Sequence, residues 1–276
     1  MELENRVAIV TGASEGIGKA LAHELVRRGA RVVLAARSQE KLQALATELG
    51  SVRALAVPTD VTKAAQLERL VARAVDGFGG VDILVNNAGF GLYGLVEEID
   101  WDHFREMWEV NFFGAVALTR AALPQLRQRG GAVVNISSVA GKIPLPYMAG
   151  YCATKFALNA FSDGLRMELA RSGVHVLTVC PGRVRTNFHE AAYRDGKDLP
   201  KIFQQRNPTG VSAERVARAT VNALRRGRRE VIIPWRLRLA ARVQSLLPGF
   251  TERVLRSVVR DAPPPEAAPA GGEPAA

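Results

Sequence analysis

Residues 11–18, Thr11-Gly12-Ala13-Ser14-Glu15-Gly16-Ile17-Gly18, follow the apolar run Val7-Ala8-Ile9-Val10 and lead directly into Ala20-Leu21-Ala22-His23-Glu24-Leu25-Val26. The order reads strand, glycine turn, helix. Glycine accepts the left-handed backbone of a tight turn and lets the main chain approach a ligand closely, while the amides and dipole of the following helix attract an anion. A pyrophosphate suits such a cradle, and the strand before and helix after it favour this reading over an ordinary connecting loop. The spacing is Gly-x-x-x-Gly-x-Gly rather than the commoner Gly-x-Gly-x-x-Gly, so the turn belongs to another variant of the dinucleotide-binding fold.

Strand-like stretches near residues 6–10, 31–35, 52–57, 82–85, 131–137, 174–180 and 230–234 alternate with helical ones. This alternation predicts the α/β class: a single doubly wound, Rossmann-type parallel sheet of seven strands with helices on both faces. Right-handed crossovers then put any ligand above the carboxyl edge of the sheet. A chain of 276 residues, 47% of them hydrophobic, can enclose one such domain over residues 1–234. Its last helix is expected to start at the Ser212-Ala213-Glu214 cap and to stop at Gly227. Residues 235–260 read as a basic amphipathic helical extension broken at Pro248-Gly249, and residues 261–276, rich in Pro, Ala, Gly and Glu, as a disordered tail.

Three further features fall where the carboxyl edge is expected. Asn86-Asn87-Ala88-Gly89 follows the strand-like Asp82-Ile83-Leu84-Val85, and Val133-Val134-Asn135-Ile136 runs into Ser137 and Ser138. Taken singly, both are ordinary turn chemistry. Beyond them, Tyr151-Cys152-Ala153-Thr154-Lys155 sets a phenol and an ammonium one helical turn apart on one face. A free phenol titrates near about 10, and a neighbouring cation favours the phenolate, so this spacing can draw a tyrosine into proton transfer. An isolated Tyr-x-x-x-Lys is more often a solvated helix face, and it is the accompanying motifs that reverse that reading.

In this order the motifs resemble the short-chain dehydrogenase/reductase family from about Arg6 to Pro234, and the wording around Tyr151 to Leu169 is similar to its hydroxysteroid-dehydrogenase-like branch. The resemblance implies cofactor glycines at Gly12, Gly16 and Gly18, with Ser14, Glu15 and Ile17 between them, and further cofactor contacts from Asn87, Ala88 and Gly89. It places a catalytic tetrad at Asn111, Ser138, Tyr151 and Lys155. Asp60 and Val61 are expected beside the adenine ring, and Pro181, Gly182, Val184 and Thr186 at the nicotinamide, with Thr186 on its amide. By the same resemblance Lys155 also grips the nicotinamide ribose, and Asn111, in the helical Val110-Asn111-Phe112-Phe113, holds a water that relays protons.

The chemistry follows from charge. Hydride delivered to a ketone leaves negative charge on its oxygen, which Ser138 can meet with a hydrogen bond while Tyr151 bonds the same atom and delivers its proton. The choice of dinucleotide turns on the residue after the second strand, where an acid would bind the ribose hydroxyls of NAD. Val33-Leu34-Ala35-Ala36-Arg37-Ser38 has no such acid, and Arg37 can form a bidentate contact with the 2′-phosphate of NADP, with Ser38 adding a donor. The expectation is NADP(H) preferred and NAD(H) still usable, with Glu15 an exception to the pattern because NADP-using relatives often carry a basic residue there.

The net charge of +10 is unevenly placed, for residues 225–260 hold ten arginines against Glu230 and Glu252. The excess sits on one appendage, which argues against a nucleic-acid partner. Within it Leu239, Val243, Leu246 and Leu247, then Phe250, Val254, Leu255 and Val258, repeat at helical spacing among arginines, and Trp235 precedes them. Such helices meet an anionic membrane surface, a partner subunit or the substrate pocket. Cys152 and Cys180 form no disulfide framework, and His23, His103, His175 and His189 show no metal spacing. Met1-Glu2-Leu3-Glu4-Asn5-Arg6 lacks the basic start and apolar stretch of a signal peptide, so a cytoplasmic protein is expected, with peripheral membrane contact through residues 235–260.

Phe90-Gly91-Leu92-Tyr93, Ile143-Pro144-Leu145-Pro146-Tyr147-Met148 and Phe188 surround the tetrad with apolar side chains, so a small hydrophobic carbonyl compound, steroid- or lipid-like, is the expected substrate. Reduction of 3-oxoacyl groups on acyl carrier protein is the main alternative, since the C-terminal arginines could receive an acidic partner. A catalytically silent NADP-binding sensor or scaffold is a third reading, for which a complete tetrad would be unnecessary. The resemblance further implies a homodimer or homotetramer built through the helices at 103–127 and 152–171.

Overall fold

The computed structural model describes residues 1–196, 199–200 and 210–258, so the tail expected at 261–276 lies outside the described residues. The central sheet contains β1 (Val7–Thr11), β2 (Arg31–Ala36), β3 (Ala54–Pro58), β4 (Ile83–Asn86), β6 (Ala132–Ile136), β7 (His175–Pro181) and β11 (Glu230–Ile233). Their order is β11-β7-β6-β4-β1-β2-β3, and every neighbouring pair is parallel. The expected seven-stranded doubly wound sheet is therefore present. The chain winds outward in one direction from β1 and in the other from β4, which makes the gap between these two strands the topological switch point.

Helices cover both faces: α1 (Gly16–Arg27), α2 (Gln39–Leu49), α3 (Ala64–Phe78), α4 (Trp101–Trp108), α5 (Gly114–Arg129), α6 (Ala149–Glu168) and α7 (Ala213–Arg225). Side chains alternate across a strand, so each strand feeds two cores. Ala8, Val10, Val32, Leu34, Ile83 and Val85 pack with Leu21 and Leu25 of α1 and Val216 and Val221 of α7. Val7, Ile9, Val33, Leu84 and Val133 pack with Leu67 and Leu70 of α3, Leu118 and Leu126 of α5 and Leu165 of α6. All five residues of β1 and of β6 are buried, as a parallel sheet covered on both sides requires.

Local signals held at the last core helix, where the Ser212 hydroxyl accepts from Arg215 N at 3.2 Å and Gly227 adopts φ +61°. Elsewhere the boundaries moved. β3 starts at Ala54 rather than 52, because residues 51–53 form a turn that leaves Val52 exposed. The helix expected at 103–127 is α4 and α5 joined by a π-helical turn over Glu109–Phe113, and α6 begins at Ala149 rather than 152. Two short pairs were not foreseen: β5 (Leu92–Tyr93) with β9 (Tyr193–Arg194), and β8 (Val184–Arg185) with β10 (Val211–Ser212). The extension is two helices, α8 (Leu237–Leu246) and α9 (Pro248–Val258), parted at Leu247 where Pro248 stops the first from continuing. Among the described residues no helix is long and apolar enough to cross a membrane.

One buried carboxylate ties the lower edge of the sheet. Asp82, with no exposed side-chain surface, accepts from Arg6 Nη1 at 2.6 Å, Val7 N at 2.9 Å and Arg129 Nε at 3.1 Å. Burial alone would raise its pKa, but the hydrogen bonds from Arg129, Val7 and Arg6 outweigh it and leave the carboxyl below its usual range. Asp82→Asn should cost about 2 kcal/mol in urea denaturation at pH 7. Because the folded pKa is the lower one, the deficit should be complete above the ordinary carboxylate pKa and disappear as pH falls through the folded value. A deficit independent of pH would contradict this role.

Candidate active site

The carboxyl ends of β1, β4, β6 and β7 share one edge of the sheet, and the residues singled out in the sequence gather there. In the glycine turn Gly12 and Gly16 have φ of +61° and +57°. A Cβ on Gly18 would lie 2.1 Å from the Gly12 carbonyl oxygen and 2.7 Å from Asn87 Nδ2, so only glycine fits. The turn is braced from β4: the Thr11 hydroxyl donates to Val85 O and accepts from the amides of Asn87 (2.9 Å) and Ala88 (3.0 Å). Asn87 Nδ2 in turn donates to Thr11 O at 2.9 Å. The Asn87 side-chain NH2 group is thereby engaged by the turn itself. Thr11 was part of the sequence motif, yet this bracing role was not legible from it.

Ser14, Glu15 and Ile17 complete the turn over the start of α1, where Glu15 occupies the N-cap position but its side chain makes no capping bond. The first-turn amides are thus available to an anionic acceptor, and the residues present fit a dinucleotide pyrophosphate. Thr186 stands on the same turn, its methyl group 3.3 Å from where a Cβ on Gly16 would be. At the far end of the groove, exposed Arg37 follows β2, and Ser38 accepts from Lys41 N at 3.4 Å to cap α2. A serine hydroxyl that accepts there can still donate its hydrogen. Glu15, out of pattern in the sequence, pairs with Lys41 at 3.6 Å. Asp60 accepts from the amide and hydroxyl of Thr62, and Val61 is covered by Gly114, where a Cβ would lie 2.8 Å from Val61 O.

Asn111, Ser138, Tyr151 and Lys155 come from the π-helical turn, the end of β6 and the first turns of α6. Asn111 is buried in the π-helical turn, and its side chain exchanges two hydrogen bonds with the main chain of Phe90, at 3.0 and 2.9 Å, and donates to Thr154 at 3.3 Å. The adjoining Gly89 has no room for a Cβ, which would lie 2.8 Å from Asn111 Oδ1 and 3.6 Å from Lys155 Nζ. Ser138 accepts from Ala140 N at 3.0 Å, which fixes its hydroxyl at the strand end. Lys155 Nζ donates to Ile136 O at 3.2 Å and lies 5.7 Å from the centroid of the Tyr151 ring. Pro181 and Gly182 continue β7 across from Ser138, and Val184 lies in β8.

The expected lowering of the phenol by its lysine is not what dominates in the polypeptide. Burial raises the Tyr151 pKa well above its ordinary value, partly offset by the Ser138 hydroxyl, and burial pushes Lys155 down to about 8. Both charged forms are disfavoured for the same reason, since the ring is 6% and the lysine 4% exposed. The spacing had shown the one-turn juxtaposition, but not the desolvation that competes with it.

Apolar side chains wall the space beside Tyr151. Leu92, Tyr93, Met148 and Leu199 are buried there, with Phe90, Leu145, Tyr147, Phe188, Ala192 and Tyr193 packed against them. The Phe188 ring meets Tyr151 edge-on at 5.7 Å. Burial also raises the thiols of Cys152 and Cys180, the latter to about 12, which suits apolar fillers rather than nucleophiles. Among the described residues no group of three His, Cys, Asp or Glu could hold a metal ion.

Comparison with known proteins agrees with this geometry. The family model described as short chain dehydrogenase matches residues 6–197. The dehydrogenase/reductase SDR family member 7B of Bos taurus is 34% identical over 269 residues, covering 94% of this chain and 82% of that protein. A short chain dehydrogenase from Burkholderia cenocepacia J2315, solved in complex with NADP, is 31% identical with a TM-score of 0.78 over 92% of this chain and 99% of its own. A short chain dehydrogenase/reductase from Burkholderia phymatum, solved in complex with NAD, is 26% identical with a TM-score of 0.83 over 91% and 96%. Matches of this extent, on a chain whose sheet order and glycine turn form a dinucleotide groove, leave one assignment: the protein is an oxidoreductase that belongs to the short-chain dehydrogenase family.

Proposed function

We propose that this oxidoreductase interconverts a hydrophobic ketone and its secondary alcohol, steroid- or lipid-like in character, using NADP(H) in preference to NAD(H). The observation that carries the reading is the buried Tyr151 hydroxyl, held beside Ser138 and facing an apolar wall. The dinucleotide, when bound, supplies or accepts the hydride. Ser138 and Tyr151 both address the carbonyl oxygen, where negative charge develops, and Tyr151 exchanges the proton. A buried phenol with a raised pKa keeps its proton until that charge appears, and the buried ammonium of Lys155 offsets the phenolate left behind. The Asn111 side chain is engaged by Phe90 and Thr154, so a water that relays protons at this residue would rest on its main chain, within the π-helical turn.

Preference for NADP(H) rests on Arg37, the cation that follows β2 where an acid would select NAD, with Ser38 next to it; Lys41 is paired with Glu15. Two surfaces support partners. Exposed Trp101, Phe113 and Phe156 lie on α4, the π-helical turn and α6, a face suited to burial against a second copy in a homodimer or homotetramer. On α8 and α9 the exposed Leu239, Leu246, Leu247, Phe250 and Val254 stand among arginines, with Trp235 just before them, a pattern suited to peripheral contact with anionic lipid. The same arginines favour, as a second reading, an acyl carrier protein delivering a 3-oxoacyl group.

Tyr151→Phe should lower kcat by roughly 10²–10⁴-fold while NADPH binding, followed by fluorescence titration, is unchanged; full turnover would reject the proton donor. Arg37→Asp should move the ratio of kcat/KM for NADPH over NADH toward NADH by about tenfold or more, and a ratio that does not move would remove Arg37 from cofactor choice. Replacing Leu246, Leu247 and Phe250 together by Ser should abolish flotation with vesicles containing anionic phospholipid, and equal partitioning of both proteins would eliminate the membrane contact.

A further inference from the structure

We infer that His103 and Glu106 of α4 are positioning residues, which clasp the segment 187–196 against the substrate pocket and thereby set how tightly bulky carbonyl compounds are held. The inference rests on the reaction proposed above for its consequence, though not for its geometry.

The segment carries part of the pocket wall, Phe188, Ala192 and Tyr193, yet little regular structure secures it. Its backbone joins the body through the two-residue pairing of β9 with β5, where Tyr193 N donates to Gly91 O and Asp195 N to Tyr93 O, both at 3.0 Å. A ladder this short is marginal by itself. Further hold comes from α4, which grips two residues of the segment. His103 Nδ1 lies 2.9 Å from Asp195 Oδ1, and the other carboxylate oxygen accepts from Asp100 N at 3.0 Å, at the start of the same helix. The His103 ring stacks on Tyr193 at 3.7 Å and 9°. One turn on, Glu106 Oε2 accepts from the Tyr193 hydroxyl at 2.8 Å. Glu106 follows His103 by three positions, so one face of α4 presents both groups to one loop.

The clasp connects to the reacting end through ring contacts. Tyr193, pinned by His103 and Glu106, meets Phe90 edge-on at 5.4 Å, and Phe90 is the residue whose main chain is bonded to Asn111. Phe188 packs on Tyr151 and on Gly91, where a Cβ would lie 3.0 Å from its ring. The hydrogen bonds of the clasp groups involve none of Ser138, Tyr151 and Lys155. Their release should therefore loosen the pocket wall without disturbing the proton donor, which is a change in substrate binding rather than in chemistry.

The test combines hydrogen exchange on the full chain with kinetics. In His103→Leu and Glu106→Leu, amides of residues 187–196 should exchange about tenfold faster while those of β6 keep their wild-type rates. KM for a bulky ketone should rise about tenfold with kcat within about twofold, and a small aldehyde should be affected little. Glu106→Gln, which keeps an acceptor, should restore both readouts, and His103→Asn, which keeps a donor near the Nδ1 position but loses the ring stacked on Tyr193, should restore them in part. Tyr193→Phe, which removes only the hydroxyl, should reproduce Glu106→Leu. Unchanged exchange in both leucine variants, a loss confined to kcat, or failure of the conservative variants to rescue would overturn the clasp. If the unaltered protein reduces no carbonyl compound, the hydride-transfer reading fails, and the exchange rates alone decide whether the clasp exists.

Discussion

The close approach of Gly18 to Gly12 is the constraint on which the dinucleotide edge depends. A helix whose third residue had any side chain would be pushed off the strand that feeds it, because the Gly12 carbonyl and the Asn87 amide already fill that space. With glycine there, α1 starts directly above β1 and aims its first amides into the gap between β1 and β4. Thr11 and Asn87 then lock the turn to the neighbouring strand, so the geometry of the groove is determined by both halves of the sheet rather than by one loop. Thr186 completes the enclosure by resting its methyl group over Gly16.

The tetrad illustrates how burial and proximity compete. One helical turn brings Lys155 to Tyr151, as the sequence spacing requires, but both groups are withdrawn from water, and desolvation opposes charge on each. In the polypeptide this burial favours the neutral phenol and the neutral amine alike. Ser138 brings a hydroxyl into these surroundings, where it accepts from the amide of Ala140.

What the sequence disclosed was the part encoded by short-range pattern. Alternating apolar runs located all seven strands, the glycine spacing located the turn, and Ser212 and Gly227 bounded α7. The π-helical turn around Asn111 left no such trace, since Glu109 to Phe113 is as plausible in a regular helix. The clasp was invisible for another reason: His103 and Asp195 are ordinary surface residue types, 92 positions apart, and only the fold makes them neighbours. Asn135 had been read merely as a member of a buried strand. In the structure it accepts from Asn86 at 2.8 Å and donates to Ser162 at 2.8 Å, a polar link through the core that joins β4, β6 and α6 and has no periodic signature.

Leu237 opens α8 by settling against Gly182, its Cδ1 2.4 Å from where a Cβ would be, while Gly182 N donates to Ile233 O at 2.7 Å. Leu237 thus packs the C-terminal extension against the loop that follows β7. Removing the first helix of the extension would strip an apolar side chain from the segment that follows β7. Trimming Leu237 would open a void behind Gly182 rather than merely clip the surface.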